Sequence, residues 1–438
     1  MPFDPSVFVT RRKRVLAALG EDVAVVRTAA EALRNRDSHY PYRYDSYFYY
    51  LTGFTEPEAA LVLVGGAQPK SILLCRARDP ERELWDGKRF GPAQAAATFG
   101  FDEAYVIDEL AERLPAWLDG RVRLHYALGA DAGLDTLLVG ILNDMRANAR
   151  SGVRAPVAIH DIRTMLDEMR LIKDAHELEV MRHAADISAA AHRRAMQAAR
   201  PGLHEYDIAA ELGYEFGRGG AQAPAYTPIV ASGANACILH YVENRAQLKD
   251  GDLLLIDAAC ELDGYASDIT RTFPVNGRFS APQRAVYDVV LAAQQAAIAE
   301  VRPGNAWQAP HDAAVRVLAQ GLIDLKLCAG SVEAVIESGD YKRFYMHRTG
   351  HWLGLDVHDA GDYKRDGEWR ALTPGMTLTV EPGLYIRPGE GVPTEYNDIG
   401  IRIEDDVAVT ESGCEILSAA APKDVAAIEA LMRDARAV

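Results

Sequence analysis

Short apolar runs alternate with helix-like stretches along the first part of the chain. The runs at residues 22–26, 59–64 and 71–75 are rich in Val, Ile and Leu and have the length of buried strands. Residues 134–149 instead have the composition of a helix. Strands and helices that alternate in this way predict an α/β domain with a mostly parallel or mixed sheet, which we assign to residues 1–170.

The remaining residues, 171–438, repeat one pattern of helices and strands. The segments 176–199 and 283–301 are both helix-like, and an Arg-Pro-Gly sequence stops each of them. Downstream of each, a glycine turn opens an apolar run that ends in a carboxylate, Asp257 in the first half and Glu381 in the second. This recurrence predicts an α+β domain whose two related halves fold around one site.

Five residues of metal-binding type lie in or beside predicted strands of this second domain: Asp257, Asp268, His351, Glu381 and Glu404. A carboxylate buried beside a strand is costly unless a cation or hydrogen bonds compensate it. Any one of them alone is more simply a capped or ion-paired strand end, but the full set predicts a shared cation site. Five ligands are too many for one catalytic ion and predict two divalent ions. Four carboxylates with one imidazole favour Mn²⁺, Co²⁺ or Fe²⁺ over structural zinc, and we expect Mn²⁺.

Composition narrows the class of protein and of partner. The 438 residues carry a formal net charge of −16, which argues against a nucleic-acid partner or an anionic membrane surface. No apolar stretch is long enough to span a bilayer, and no leader-like segment begins the sequence. The five cysteines are widely spaced without a Cys-x-x-Cys pair, so we expect reduced thiols in a cytoplasmic protein.

Several motifs resemble one family of peptidases. Residues 347–359, His-Arg-Thr-Gly-His-Trp-Leu-Gly-Leu-Asp-Val-His-Asp, resemble the signature of the proline-specific pita-bread metallopeptidases. Residues 34–37, 40–59 and 78–87 resemble the N-terminal domain of aminopeptidase P, the creatinase and prolidase N-terminal type. The resemblance covers nearly the whole chain and departs from the family pattern at Arg348-Thr349, where many relatives carry Gly-Leu.

This resemblance implies a fold and an activity. The second domain is expected to have the pita-bread fold with an internal pseudo-two-fold repeat. The protein is expected to be a metallo-aminopeptidase that hydrolyses the bond between any N-terminal residue and a following proline. Among the ligands, Asp257 is expected to bind one ion, His351 and Glu381 the other, and Asp268 and Glu404 to bridge both.

The resemblance also implies roles for other side chains. The expected catalytic residues are Glu381, His240, His347, His358 and Arg402. The expected substrate-binding residues are His358, Arg402, Trp85 and Tyr385. A lone histidine near an apolar strand is more commonly a hydrogen-bonded core residue, and Trp85 could pack onto its own domain. By resemblance, Trp85 instead roofs the active site of a neighbouring subunit, which implies a homo-oligomer, a dimer or tetramer.

Four other functions compete with this one. A prolidase would use the same metal site on dipeptides that end in proline. A non-enzymatic pita-bread protein would serve as a binding module after losing ligands, and a creatinase-like enzyme would act without metals; the intact set of five ligands counts against both. A methionine aminopeptidase is disfavoured because it would not need the large N-terminal domain.

Overall fold

The computed structural model describes residues 4–436, which divide between Met169 and Arg170 into two compact units. The helices of the first unit are α1 (Pro5–Leu19), α2 (Ser46–Thr52), α3 (Pro80–Asp86), α4 (Gly91–Phe99), α5 (Leu110–Leu118) and α6 (Ala132–Ala147), followed by α7 (Arg163–Leu171) at the division. Its strands are β1 (Val23–Arg27), β2 (Ala60–Val64), β3 (Lys70–Cys75), β4 (Glu103–Val106), β5 (Arg123–His125) and β6 (Ala158–His160).

The first unit is built on one mixed six-stranded sheet. Its strand order is β4-β3-β2-β1-β5-β6. The pairs β1–β2 and β2–β3 are antiparallel, and the other three pairs are parallel. Val25, Val62 and Leu74 from the central strands pack in one core with Leu114 of α5 and Leu138 of α6. The alternation of strands and helices in the sequence therefore predicted this sheet correctly.

The second unit carries six helices and thirteen strands in its described part. The helices are α8 (Ala175–Ala198), α9 (Glu205–Arg218), α10 (Ala281–Ala299), α11 (Ala309–Asp324), α12 (Val332–Ser338) and α13 (Val425–Arg436). The strands are β7 (Ala223–Pro224), β8 (Ile229–Ser232), β9 (Leu253–Asp257), β10 (Cys260–Leu262), β11 (Tyr265–Ala266), β12 (Thr270–Pro274), β13 (Lys364–Arg365), β14 (Glu368–Trp369), β15 (Thr377–Val380), β16 (Gly383–Ile386), β17 (Ile399–Arg402), β18 (Asp405–Val409) and β19 (Cys414–Ile416).

Short antiparallel sheets form the two related halves of this unit. In the first half, β9 lies between β8 and β12, and helix α8 packs against α9. In the second half, β18 lies between β15 and β19, and helix α10 packs against α11. The strands β16 and β17 form a separate pair. In the first half the central strand β9 ends at Asp257, and in the second half Glu381 directly follows the edge strand β15.

A buried ion cluster lies at the start of the second unit. Arg170 donates through Nη2 to Asp359 Oδ1 at 2.6 Å, and Lys173 donates through Nζ to Asp359 Oδ2 at 2.9 Å. Burial alone would raise the pKa of Asp359, but these two cations lower it below its ordinary value. The cluster ties the segment that opens this unit to the loop that carries His358.

Two further features bear on the class of the protein. Within residues 4–436, no helix is both long enough and apolar enough to cross a bilayer. All five cysteines carry free thiols.

Candidate metal centre

Asp257 and Asp268 are brought together by the pairing of β9 with β12. Asp257 is the last residue of β9 and is paired with Thr270, the first residue of β12. Asp268 was expected inside a continuous strand, but the structure places it in the break between β11 and β12. The Tyr226 hydroxyl lies 2.6 Å from Oδ1 of both carboxylates. The two side chains therefore face one point.

The segment before His351 is hydrogen-bonded to β15, which sets His351 beside Glu381. The Glu381 amide donates to the Thr349 carbonyl at 2.8 Å, and the Thr379 amide donates to the His351 carbonyl at 3.0 Å. Gly350 is required here, since a Cβ at this position would lie 2.0 Å from the Thr379 carbonyl oxygen. As a result, His351 Nε2 lies 3.7 Å from Glu381 Oε1.

Glu404 completes the cluster from the break between β17 and β18. It is buried, and its carboxylate accepts a hydrogen bond from Thr270 Oγ1 at 2.6 Å. His351 Nε2 lies 3.4 Å from Asp268 Oδ2. Ligand atoms of Asp268, His351 and Glu404 all lie within 4.8 Å of one another. The structure thus gathers the five predicted ligands around one centre.

The centre has an excess of buried negative charge. Burial raises the pKa of Glu404 well above its ordinary value, and the charge of Asp268 adds to this effect. Burial likewise raises the pKa of Glu381, to about 7, although His351 and Arg402 oppose the shift. Burial would lower the pKa of His351, but the contact with Asp268 outweighs it and raises that pKa to about 9. The nearby cations of the chain therefore only partly neutralise the four carboxylates.

Divalent cations fit this arrangement. A cation would remove the repulsion that raises the pKa values of the carboxylates. Oxygen donors with one imidazole suit a hard divalent ion, and the ligand atoms of Asp268, His351 and Glu404 are already close enough to share one. The residues present are thus of the kind that a divalent metal ion would require.

A hydrogen-bonded chain of side chains supports one side of the centre. Arg402 donates through Nη2 to Asp257 Oδ2 at 2.6 Å and through Nη1 to the Tyr385 hydroxyl at 2.9 Å. His347 Nε2 is 2.8 Å from the same hydroxyl, and its Nδ1 is 3.8 Å from Glu381 Oε2. The segment between His347 and His351 is irregular. The place of His347 near the centre comes from Tyr385.

A cavity of about 1080 Å³ opens over the centre. It is lined by the five ligands, by the expected residues His240, His347, His358 and Arg402, and by a set that includes Tyr226, Thr227, Ile229, Leu239, Val242, Trp307, Arg348, Asp362, Tyr363, Lys364 and Trp369. The His358 ring stands perpendicular to the His351 ring, with centroids 4.4 Å apart. Burial and the neighbouring His351 lower the pKa of His358 below its ordinary value.

Two expected substrate-binding residues lie elsewhere. Tyr385 is buried, and its hydroxyl contacts Arg402 and His347 instead of lining the cavity. Trp85 belongs to α3 of the first unit and is 87% exposed, so it does not pack into the core of that unit.

Two residues of the centre, Tyr226 and Thr270, are not predicted by the sequence pattern. Tyr226 contacts two ligands, and Thr270 donates to a third. Tyr226 lies in a loop without a periodic pattern, so its place becomes visible only through the register of β8 with β9, in which Ile229 is paired with Asp257. Thr270 follows Asp268 by two residues, and this spacing along an extended chain was a usable signal.

Comparisons with known proteins identify the families to which the two parts of the chain are similar. Residues 179–411 match metallopeptidase family M24, and residues 8–125 match the aminopeptidase P N-terminal domain. The Xaa-Pro aminopeptidase of Haemophilus influenzae is 47% identical over 427 residues, covering 97% of this chain and 96% of that protein. The Xaa-Pro aminopeptidase of Escherichia coli K12 is 46% identical over 415 residues, covering 94% of each protein.

Solved structures extend the likeness to the whole fold. Pseudomonas aeruginosa aminopeptidase PepP matches with a TM-score of 0.98 and 51% identity, covering 100% of this chain and 99% of that one. A variant of Escherichia coli aminopeptidase P in complex with substrate matches with a TM-score of 0.97 and 43% identity over 100% of both chains. The zinc-substituted Escherichia coli enzyme in complex with product gives 0.97 and 44% over the same coverage. The predicted fold class is confirmed, and the chain belongs to metallopeptidase family M24, with an N-terminal domain of the aminopeptidase P type.

Proposed function

We propose that this protein is a Xaa-Pro aminopeptidase, which releases the N-terminal residue from peptides that carry proline at the second position. The observation that carries the proposal is the convergence of Asp257, Asp268, His351, Glu381 and Glu404 at one cavity. Membership of family M24 and the activity named for the two bacterial relatives support it.

The metal would be held by these five side chains. Asp257 would bind one ion, His351 and Glu381 the other, and Asp268 and Glu404 would bridge the two. When bound, such ions supply Lewis acidity that allows water to attack a peptide carbonyl near neutral pH. We propose Mn²⁺ because the donor set is rich in oxygen.

Other side chains would move protons and orient the peptide. Glu381 would accept the proton of the attacking water and return it to the leaving amine of proline. His240 and His358 line the cavity wall, where an imidazole N–H can donate to a carbonyl oxygen of the peptide. His347 would assist Glu381, since its Nδ1 lies 3.8 Å from the Glu381 carboxylate.

Recognition of proline would depend on His358 and Arg402 within the cavity. Arg402 has its guanidinium fixed by Asp257 and Tyr385, so it presents a rigid wall. Tyr385 would act through Arg402 and His347, because its hydroxyl contacts both. Trp85 is 87% exposed, and an indole left in water in this way suits a surface that a second copy of the chain covers. We therefore propose a homo-oligomer, a dimer or tetramer, in which Trp85 roofs the active site of a neighbouring subunit.

The cavity volume favours an aminopeptidase over a prolidase. Pockets that enclose a drug-sized ligand span roughly 300–1,000 Å³. The cavity here is about 1080 Å³ and so leaves room for residues beyond a dipeptide. A prolidase remains the second candidate because the same metal centre would serve it.

One assay tests this function and its alternative. The metal-loaded protein would be incubated with Xaa-Pro, with Xaa-Pro-Yaa-Zaa and with Xaa-Ala-Yaa-Zaa, and the products resolved by mass. We expect release of Xaa from the tetrapeptide with proline, with the alanine peptide about ten- to two-hundredfold slower. Equal rates on the two tetrapeptides would refute the proposal, and cleavage of the dipeptide alone would assign a prolidase.

We also propose a reducing, cytoplasmic compartment. All five thiols are free, and Cys75, Cys237 and Cys260 are buried. Secreted proteins more commonly pair their cysteines. Cell fractionation with an antibody against the protein tests this, and recovery in an oxidising compartment would contradict it.

A further inference from the structure

A basic cluster stands on the cavity wall, away from the metal ligands. It consists of Arg348, Lys364 and Trp369, which all line the cavity. The Arg348 guanidinium carbon lies 5.0 Å from the centroid of the Trp369 ring, and Lys364 Nζ lies 4.3 Å from the same centroid. Arg348 also donates through Nη2 to the side-chain oxygen of Gln308. The indole and the amide therefore hold the guanidinium in one place.

The two cations have no carboxylate partner. Among the residues that the structure describes, no carboxylate oxygen lies within 4 Å of Arg348 or Lys364, the distance at which an ion pair would form. Besides the predicted ligands, the cavity lining includes one further carboxylate, that of Asp362. This part of the wall thus carries two positive charges against one negative charge. An unpaired guanidinium facing a substrate cavity is a binding group for an anion.

We infer that Arg348, supported by Lys364, binds a carboxylate of the peptide substrate at a distance from the bond that is cut. The planar guanidinium can form two parallel hydrogen bonds with a carboxylate, and Trp369 leaves the donors of its edge free for this. The inference rests on the proposed function. The carboxylate can be the free C-terminus of a short peptide, or the acidic side chain of the first or the third residue. In each case the protein would prefer the peptide that bears the charge.

Matched substrate pairs test the inference. The first pair is Xaa-Pro-Yaa as the free acid and as the amide; the second and third exchange Glu for Gln at the first and at the third residue of an amidated peptide. We expect kcat/KM to favour the charged member of at least one pair. Arg348→Gln should reduce that preference about three- to tenfold, mainly through KM, since an exposed ion pair with charge-assisted hydrogen bonds is of this strength.

Arg343→Gln is the matched control. The Arg343 guanidinium carbon lies 5.1 Å from the Phe344 ring and its Nη2 donates to the Glu390 carbonyl, but Arg343 does not line the cavity. This variant should leave every preference unchanged. Arg348→Lys keeps the charge and should retain part of the preference, and Lys364→Met should weaken it.

A binding measurement separates this inference from the proposed function. If the free C-terminus is the carboxylate that Arg348 binds, titration calorimetry of the product Pro-Yaa, as acid and as amide, should give tighter binding of the acid, and Arg348→Gln should remove the difference. Equal preferences in Arg348→Gln and the unaltered protein, on all three pairs and in calorimetry, would overturn the inference while cleavage before proline continued. Failure to cleave any Xaa-Pro peptide would refute the proposed function itself.

Discussion

Glu404 and Asp405 are neighbours in the chain, equally buried, and opposite in their electrostatic surroundings. Glu404 faces the carboxylates of the metal centre, and burial with their repulsion raises its pKa well above the ordinary value. Asp405 faces Arg271 and Lys423, each with a nitrogen 2.6 Å from its carboxylate. Burial would raise the pKa of Asp405, but these cations lower it below the ordinary value.

The two carboxylates differ in the hydrogen-bond donors and cations that the fold places around each of them. Asp405 is neutralised from within the chain and further accepts hydrogen bonds from Ser418 Oγ and Gln294 Nε2, each at 2.7 Å. Glu404 receives one hydroxyl, from Thr270, and shares its remaining space with other carboxylates. A buried acid with its own cations stabilises the fold, whereas a buried acid without them needs ions from outside. Adjacent residues thus serve stability and chemistry separately.

Removing a ligand should have the largest effect on activity. Glu404→Ala or Asp268→Ala deletes a carboxylate that we propose to bridge the two ions, and we expect loss of metal together with a fall in kcat of about 10³-fold or more. Metal content by elemental mass spectrometry and steady-state kinetics on the same samples measure both. Full metal occupancy in Asp268→Ala would contradict the assignment of the bridge.

Removing the charge of the neighbouring residue, Asp405, should instead act on stability. Asp405→Asn leaves Arg271 and Lys423 without their anion, which should cost about 3–5 kcal/mol in the free energy of unfolding, with metal content retained. Urea unfolding measures the loss. Because the folded-state pKa of Asp405 lies below the unfolded value of about 3.9, its stabilisation is present above that pH and is lost as the pH falls. The free energies of unfolding of the unaltered protein and of Asp405→Asn should therefore converge as the pH becomes strongly acidic. Loss of metal from Asp405→Asn would contradict the separate roles of Glu404 and Asp405.

His358→Ala tests whether His358 binds the metal or only contacts a residue that does. His358 stacks edge-on with His351, but we propose it as a donor to the substrate, so the variant should keep its metal. We expect kcat to fall about 10²-fold, as for loss of one acid–base group. Elemental analysis decides the matter, since release of metal by this variant would make His358 a ligand.

Chelation should reveal the repulsion between Glu404 and the other carboxylates of the centre. Asp405 lacks this repulsion because Arg271 and Lys423 neutralise it. Removing the ions leaves the four carboxylates uncompensated, so both activity and the melting temperature should fall. For ions present at about 100 times their Kd, the loss of stability is about 2.7 kcal/mol. Mn²⁺ should restore both, and calorimetry with and without chelator measures the shift. Unchanged activity at verified zero metal content would contradict the two-ion proposal.

The smallest effect is expected from Trp85, which lies far along the chain from Glu404 and Asp405. Trp85→Ala should leave metal content and the stability of both clusters unchanged. It should reduce kcat/KM by about tenfold, at least as much on longer peptides as on dipeptides, through loss of a ring contact with proline. Leu84→Ala is a matched control, since Leu84 is its neighbour in α3 and is 85% exposed. Equal losses in the two variants would remove the specific role of Trp85.

The sequence predicted the composition of the centre better than its local geometry. The five ligands could be named because each stands beside an apolar run, and the family resemblance ordered them. The breaks at Asp268 and Glu404 could not be seen, since the hydrogen bonds that end each strand come from distant partners, such as the Thr270 carbonyl that accepts from the Glu404 amide. Tyr226 was missed for the same reason. The role of Asp405 depends on Lys423 and Arg271, whose positions no local pattern encodes.

The ion cluster of Asp359 limits how the chain can be divided. Arg170 is the first residue of the second unit and contributes one of the two cations that hold Asp359 beside His358. A catalytic fragment that starts at residue 171 would lose this arginine and leave a buried acid with half of its partners, a defect of several kcal/mol. A fragment meant for expression on its own must therefore begin upstream of α7, even though the compact unit starts within that helix.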